Sequence, residues 1–195
     1  MPGRWERLRD KLGGLCLLKG EFILTTGQKS DFYFDCKRAT LDGECLSMIA
    51  DEFLEKIRAL PNQPTAIGGL TIGADFIVAA VIQRSSERGT PMSGSIVRKE
   101  PKKHGTKSRV ENELPRGTPI VVVDDVFTTG ASTATACKEL QKHGYRIVGI
   151  VGLVDREQGG VERLERDFGC KVLSVFRKRD FPALNEPPRP LAANA

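Results

Sequence analysis

Long hydrophobic runs are absent from the sequence, and no apolar stretch reaches the roughly eighteen residues that a membrane-spanning helix needs. The amino terminus, Met-Pro-Gly-Arg-Trp-Glu-Arg, becomes charged at once and lacks the apolar centre of a secretion signal. Cys-x-x-Cys pairs are also lacking, and the five cysteines are widely spaced and odd in number, which indicates reduced, mostly buried thiols. We therefore expect a soluble cytoplasmic protein without a membrane partner.

Nucleotide and metal motifs of fixed spacing are missing too. No Gly-x-x-x-x-Gly-Lys-Ser/Thr sequence occurs, which argues against a P-loop nucleotidase. Residues 68–73, Gly-Gly-Leu-Thr-Ile-Gly, depart from the Gly-x-Gly-x-x-Gly spacing of dinucleotide-binding folds. The two histidines form no His/Cys metal cluster, and His143 before Gly144 is better explained as a helix C-cap. Any phosphate site must therefore use another arrangement.

The excess positive charge is confined to one segment. The chain of 195 residues is 39% hydrophobic and 28% charged, as in a globular domain, and its formal net charge is +5. Residues 98–109 hold six basic residues against one acidic residue, and the rest of the chain is balanced. Pro101 and Gly105 interrupt this cluster. It therefore suits a mobile loop that grips a compact polyanion better than a stripe for nucleic acid.

Apolar periodicity predicts an α/β fold. Residues 46–57 carry apolar side chains at three- and four-residue steps, which is typical of a helix with one buried face. Further on, strands are predicted at 65–68, 94–97, 120–123, 146–154 and 171–176, with helices at 74–83, 132–142 and 161–168. This alternation is typical of a single domain with a mostly parallel, twisted sheet covered by helices on both faces. Residues 22–36 predict an antiparallel flap that turns at Gly27 and Gln28, and residues 182–195 a loosely held tail.

The most informative stretch covers residues 120–133, Ile-Val-Val-Val-Asp-Asp-Val-Phe-Thr-Thr-Gly-Ala-Ser-Thr. In an open parallel sheet, Asp124 and Asp125 would emerge at the ligand crevice beyond the strand end. Residues 128–133 would then supply hydroxyls and bare backbone N–H groups at a helix N-terminus, which favours a phosphate. Carboxylates suit sugar hydroxyls better than phosphate, so the pattern predicts a ribose 5-phosphate site. The alternative is that the acids merely end a strand and cap a helix.

This stretch closely resembles the phosphoribosyl-diphosphate signature of the type I phosphoribosyltransferases. Residues 26–35, 68–75 and 97–106 are similar to segments of the orotate phosphoribosyltransferases, and the resemblance covers about residues 20–160. It implies the type I phosphoribosyltransferase fold, with a flap at about residues 15–40 and a mobile catalytic loop at about 98–112. It also implies transfer of ribose 5-phosphate from 5-phosphoribosyl-1-diphosphate to orotate, which gives orotidine 5′-monophosphate and diphosphate in pyrimidine (UMP) biosynthesis.

The resemblance also implies roles for individual residues. The catalytic group would be Arg98, Lys99, Lys102, His104, Asp124 and Asp125. The 5-phosphoribosyl-1-diphosphate site would add Val126, Phe127, Thr128, Thr129, Gly130, Ala131 and Ser132 to that group. Orotate would contact Lys29, Phe34, Thr128 and Arg156. Mg²⁺ would be held mainly through the diphosphate, without a protein metal site. In family members the basic loop enters the neighbouring subunit's site, so a homodimer is expected.

Alternatives remain open on the sequence alone. Arg156 could be an exposed side chain paired with Asp155 or Glu157, the flap aromatics could serve core packing, and the lysine-rich run could be a solvated loop. Thr25 and Ile72 stand where some family members place lysines, which leaves the basic loop as the main diphosphate ligand. A phosphoribosyltransferase for another base, and a non-catalytic regulator that binds a nucleotide or RNA, are the alternative functions.

We expect Lys102→Ala to lower kcat far more than it changes the orotate KM. The reason is that the lysine charge would meet the departing diphosphate, where negative charge grows in the transition state. Steady-state kinetics with both substrates would measure this, and Lys103→Ala is the matched control in the same segment. An unchanged kcat for Lys102→Ala would exclude the role.

Overall fold

A computed structural model describes residues 2–23, 29–101 and 108–185 as an alternation of helices and strands. The helices are α1 (Arg4–Leu15), α2 (Lys37–Thr40), α3 (Gly43–Arg58), α4 (Asp75–Glu87), α5 (Ala131–Lys142), α6 (Gly160–Phe168) and α7 (Pro182–Asn185). The strands are β1 (Leu17–Ile23), β2 (Lys29–Phe34), β3 (Ala66–Leu70), β4 (Ser93–Val97), β5 (Val110–Glu111), β6 (Pro119–Phe127), β7 (Arg146–Asp155) and β8 (Val172–Arg177). Within these ranges, none of the helices is long and apolar enough to cross a bilayer.

The predicted sheet is confirmed. Six strands lie in the order β5-β4-β3-β6-β7-β8, and every neighbouring pair is parallel except β4 with β5. The parallel strands are joined by crossovers that contain helices, as the alternating pattern predicts. The antiparallel β4–β5 pair closes the base of the basic segment, and the Arg98 N–H donates to the Arg109 carbonyl at 2.7 Å.

Helices cover both faces of the sheet, because its central strand is apolar on both sides. In β6, Val121 and Val123 pack in a core with α1, α3 and α4, while Ile120 and Val122 pack in a second core with α5 and α6. Successive side chains of a strand point to opposite faces, so a continuous apolar run is what a doubly covered strand requires.

The antiparallel flap is confirmed, and it begins earlier than residue 22, where the residue pattern places its start, but within the range of about 15–40 that the resemblance implies. β1 pairs with β2 from Leu17↔Phe34 to Ile23↔Lys29, with an irregularity in register between Lys19 and Phe22. The predicted turn at 27 and 28 lies outside the described residues. The predicted tail begins as the short helix α7, and its remainder from residue 186 also lies outside them.

Helix α1 was not predicted from the sequence. It buries only Leu8 and Leu12, one turn apart, among charged neighbours, so its apolar periodicity is weak. Its place is determined by tertiary contacts instead, since the Arg4 guanidinium bonds Glu52 of α3 at 2.7 Å and the Trp5 indole donates to the Val175 carbonyl.

Strand β6 runs further than predicted. The sequence predicts an end at residue 123, yet pairing with β7 continues from Asp124↔Gly152 to Phe127↔Asp155. Gly152 allows this, because a Cβ there would lie 2.5 Å from the Phe127 ring. The two acids are therefore held in a hydrogen-bonded strand and not in a loop.

We expect Gly152→Ala to destabilise the fold by about 1–3 kcal/mol, because its methyl group would overpack against the buried Phe127 ring. Urea unfolding followed by circular dichroism measures the change. The control is Gly14→Ala in α1, where a Cβ meets no atom within 4 Å and alanine favours the helix. Equal stability of the two variants would contradict the packing argument.

Candidate active site

One cavity joins the flap, the carboxyl ends of β3, β6 and β7, and the start of the basic segment. Its volume is about 710 Å³, a size that suits a small-molecule ligand. Eight of the predicted site residues line it, namely Phe34, Lys99, Asp124, Asp125, Val126, Thr128, Ser132 and Arg156. Residues far apart in the sequence therefore meet where a parallel sheet presents its ligand crevice.

Asp124 is a buried carboxylate held by two hydrogen bonds. Its Oδ2 accepts from the Thr133 hydroxyl at 2.6 Å, and its Oδ1 accepts from the Asp125 backbone N–H at 3.1 Å. Burial, followed by the negative charge of Asp125, raises the Asp124 pKa to about 7, although the Thr133 bond opposes this. Near neutral pH this carboxyl group is therefore only partly ionised, and hydrogen-bond donors on a ligand would lower its pKa.

Asp125 has a cationic neighbour that the sequence analysis missed. Burial raises the Asp125 pKa, and the positive charge of Lys37 opposes the shift. The Lys37 ammonium lies 2.7 Å from Asp35 and lines the same cavity. No spacing rule could have indicated Lys37, because it follows the flap in sequence and reaches β6 only through the tertiary fold.

Gly73 allows the β3–α4 connection to lie against both carboxylates. A Cβ at this position would lie 2.8 Å from Oδ1 of Asp125 and 3.1 Å from Oδ1 of Asp124. Beside it, the Thr71 hydroxyl donates to Asp75 at 2.7 Å. Residues 70–73 thus form a wall of the acidic site.

The predicted phosphate loop connects β6 to α5. Gly130 caps α5 at φ 73°, and a Cβ there would lie 3.0 Å from Leu164. Within the part of the chain that is described, no side chain caps the first turn of α5, so its N–H groups and dipole are available to an anion. Thr128 and Ser132 line the cavity, whereas Phe127 is fully buried and the Thr129 carbonyl accepts from Arg163.

Arg156 is a buried cation, so the interpretation of an exposed side chain was wrong. It is 3% exposed, its Nη2 donates to the Ser30 hydroxyl at 3.0 Å, and its Cζ lies 4.3 Å from the centre of the Phe32 ring. Glu157, one of the two acids considered as its partner, pairs with Arg179. The guanidinium instead forms part of the cavity wall beside the flap.

The basic segment is anchored at its base. The Arg109 guanidinium donates to the Arg98 and Lys99 carbonyls at 3.1 and 2.7 Å. The Arg98 side chain donates to Glu111. This pair lines a second cavity of about 540 Å³, and Lys99 lines both cavities. Lys102, His104 and the predicted hinge at residue 105 lie outside the described residues. Lys29 belongs to β2 and is not among the cavity-lining residues of the described chain.

The far end of α5 contacts this same base. The predicted C-cap is confirmed at His143, whose Nε2 lies 3.3 Å from the Ser108 hydroxyl. The Arg109 guanidinium also lies 3.8 Å from Glu139 of α5. One helix therefore follows the predicted phosphate loop at one end and contacts the base of the basic segment at the other.

Known proteins resemble the chain over most of its length. Residues 41–184 match the family model of the phosphoribosyl transferase domain. The chain is 39% identical to an orotate phosphoribosyltransferase of Nostoc sp., with 90% of this chain and 84% of the relative covered. It is 37% identical to that of Sorangium cellulosum, over 93% and 95%. The solved orotate phosphoribosyltransferase of Mycobacterium tuberculosis H37Rv in complex with 5-phospho-alpha-D-ribosyl 1-diphosphate is 29% identical, with TM-score 0.76 and coverage of 93% and 99%.

We expect Asp124→Asn to raise the melting temperature of the ligand-free protein at about pH 8 by roughly 2–4 °C, or about 1 kcal/mol. The folded protein holds this carboxyl pKa above its unfolded value, so ionisation costs stability as pH rises through about 7. The gain in melting temperature from Asp124→Asn should be smaller at about pH 5, because protonation of Asp124 in the wild type lowers the cost of burying it. Thermal denaturation at both pH values measures it, with the exposed Asp10→Asn as control. A gain independent of pH would contradict this origin.

Proposed function

The chain belongs to the orotate phosphoribosyltransferases, and we propose that it transfers the 5-phosphoribosyl group of 5-phosphoribosyl-1-diphosphate to orotate, releasing diphosphate. The product is orotidine 5′-monophosphate, in pyrimidine biosynthesis. The observation that carries the proposal is a single cavity that joins an acid pair, a bare helix N-terminus and a buried arginine. Those groups complement a ribose, a phosphate and an anionic base.

The ribose 5-phosphate is assigned to the β6–α5 segment. Asp124 and Asp125 would accept hydrogen bonds from the ribose hydroxyls, which carry donors that a phosphate lacks. Val126 to Ser132 would surround the 5-phosphate, with Thr128 and Ser132 contributing hydroxyls and the first turn of α5 contributing N–H groups. This assignment explains how two acids can border an anion site, since each group meets a different part of the substrate.

Orotate is assigned to the side of the cavity bordered by Arg156. A planar guanidinium can donate two parallel hydrogen bonds to the orotate carboxylate, and its burial strengthens them. Phe34 would provide an apolar wall and Thr128 a further contact, and Lys29 would have to reach the base from outside the cavity lining. A purine, or a pyrimidine without the carboxylate, would leave this buried charge without its ligand, and this favours orotate over other bases.

The departing diphosphate is assigned to the basic segment. Arg98 and Lys99 at its base, together with Lys102 and His104, would place positive charge where the C1–oxygen bond breaks. Closure of the segment would also exclude water from the reacting carbon. Because Ile72 adds no charge to the cavity wall, this segment is the principal source of cations for the diphosphate.

Mg²⁺ is the proposed cofactor. Within the described ranges no group of three or more His, Cys, Asp or Glu side chains is arranged to hold a metal, whereas Asp124 and Asp125 offer oxygen atoms beside the ribose site. This donor set fits a hard cation that the substrate carries in mainly on its diphosphate. When bound, the ion would supply positive charge that stabilises the leaving group.

We further propose a cytoplasmic homodimer. A loop whose two ends are fixed at the β4–β5 base can extend its middle toward a neighbouring subunit, where it would complete that subunit's site. The five cysteines are all unpaired thiols, as in proteins of a reducing compartment. Light scattering of the purified protein measures the subunit number.

The purified protein should form orotidine 5′-monophosphate from orotate and 5-phosphoribosyl-1-diphosphate when Mg²⁺ is present, as followed by chromatography. Arg156→Lys should raise the orotate KM roughly tenfold, about 1.4 kcal/mol, because an ammonium cannot bond the carboxylate through a planar fork. Arg179→Lys is the matched control, since Arg179 pairs with Glu157 outside the cavity lining. Equal turnover of uracil or adenine would exclude orotate as the specific base.

A further inference from the structure

Strand β2 of the flap contacts Arg156 through two side chains. Ser30 and Phe32 are two residues apart in the strand, so they face the same way and meet the guanidinium together. The flap forms its own two-stranded sheet, separate within the described chain from the six-stranded sheet, whose strand β7 ends one residue before Arg156. These contacts therefore connect the flap to the main sheet at Arg156, a residue that is proposed to bind the substrate.

The Ser30 hydroxyl can only accept from Arg156. It has one proton, which it donates to the Phe32 carbonyl at 2.7 Å. Its lone pairs face the Arg156 Nη2 at 3.0 Å and the Phe32 N–H at 3.4 Å. A guanidinium offers donors alone, so the hydroxyl is fully matched and fixes one edge of the arginine.

The Phe32 ring is a fixed platform beneath the guanidinium. It is 5% exposed and meets the Phe34 ring edge-on, with centroids 6.5 Å apart. Arg156 Cζ lies 4.3 Å from its centre and Lys178 Nζ lies 5.3 Å away, both within the range of cation–π attraction. Stacking restricts the tilt of the guanidinium, while the Ser30 bond restricts its rotation in the ring plane.

We propose that Ser30 and Phe32 are positioning residues that hold Arg156 in the orientation needed to bind the carboxylate of a planar anionic base. The inference rests on the proposed function, because it assigns the flap a part in base selection without substrate contact by Ser30 or Phe32. An arginine fixed before binding loses less rotamer entropy when the base arrives. Removing either support should therefore weaken binding of the base and leave the ribose and diphosphate sites unaffected.

Steady-state kinetics of four variants tests this. Ser30→Ala and Phe32→Leu should each raise the orotate KM about five- to twentyfold, as expected for loss of a hydrogen bond to a charged group or of a desolvated cation–π contact. The kcat and the KM for 5-phosphoribosyl-1-diphosphate should stay within about twofold. Ser30→Thr and Phe32→Tyr keep the acceptor and the ring, so they should restore the orotate KM to within about threefold. Ser86→Ala, on the exposed side of α4, is the serine control.

A double-mutant cycle separates positioning from general support of the fold. Once Arg156→Met has removed the guanidinium, Ser30→Ala should raise the orotate KM no further, whereas a structural role would add the same factor in both backgrounds. Additive effects, or an unchanged orotate KM in Ser30→Ala, would overturn the inference while wild-type activity upholds the proposed function. A wild type that makes no orotidine 5′-monophosphate would overturn both.

Discussion

Two adjacent carboxyl groups at the carboxyl end of β6, one buried (Asp124) and one half-buried (Asp125), are the constraint on which the site depends. Burial raises the pKa of both Asp124 and Asp125, and neighbouring groups partly offset its cost. Thr133 donates to the Asp124 carboxylate, and Lys37 places positive charge near Asp125. Hydrogen-bond donors on a bound ligand would further lower the cost of ionising this pair.

The fold makes this arrangement possible through the length of β6. A strand that ended before the acids would place them in a loop, where water could hydrate them and their geometry would vary. The ladder to β7 instead continues past both acids, and it can do so because Gly152 leaves room for Phe127. A packing feature on one face of the sheet thus determines the position of polar groups at its edge.

The order of elements could be predicted from the sequence because period-2 and period-3.6 patterns are local properties. Asp124, Asp125 and the loop after them were found for the same reason, since strand, acids and helix are contiguous. Helix α1 was not predicted, because its two buried leucines pack against elements that are distant in the sequence. The sequence analysis missed Lys37 beside Asp125 and the contacts of Ser30 and Phe32 with Arg156. Only the tertiary fold brings these residues together. Functional residues that are contiguous in the chain can thus be predicted from one sequence, whereas the tertiary contacts that support them cannot.

The length of helix α5 sets the distance between two parts of the candidate site. Its first turn follows the predicted phosphate loop, and its last turn and cap contact Arg109 and Ser108 through Glu139 and His143. Twelve helical residues span about 18 Å, and a packed helix neither stretches nor compresses appreciably. The separation between the predicted phosphate loop and the base of the basic segment is therefore determined by the number of residues in this helix. Substitutions at the solvent-facing positions of this helix would leave that separation unchanged, whereas an insertion or a deletion within the helix would alter it.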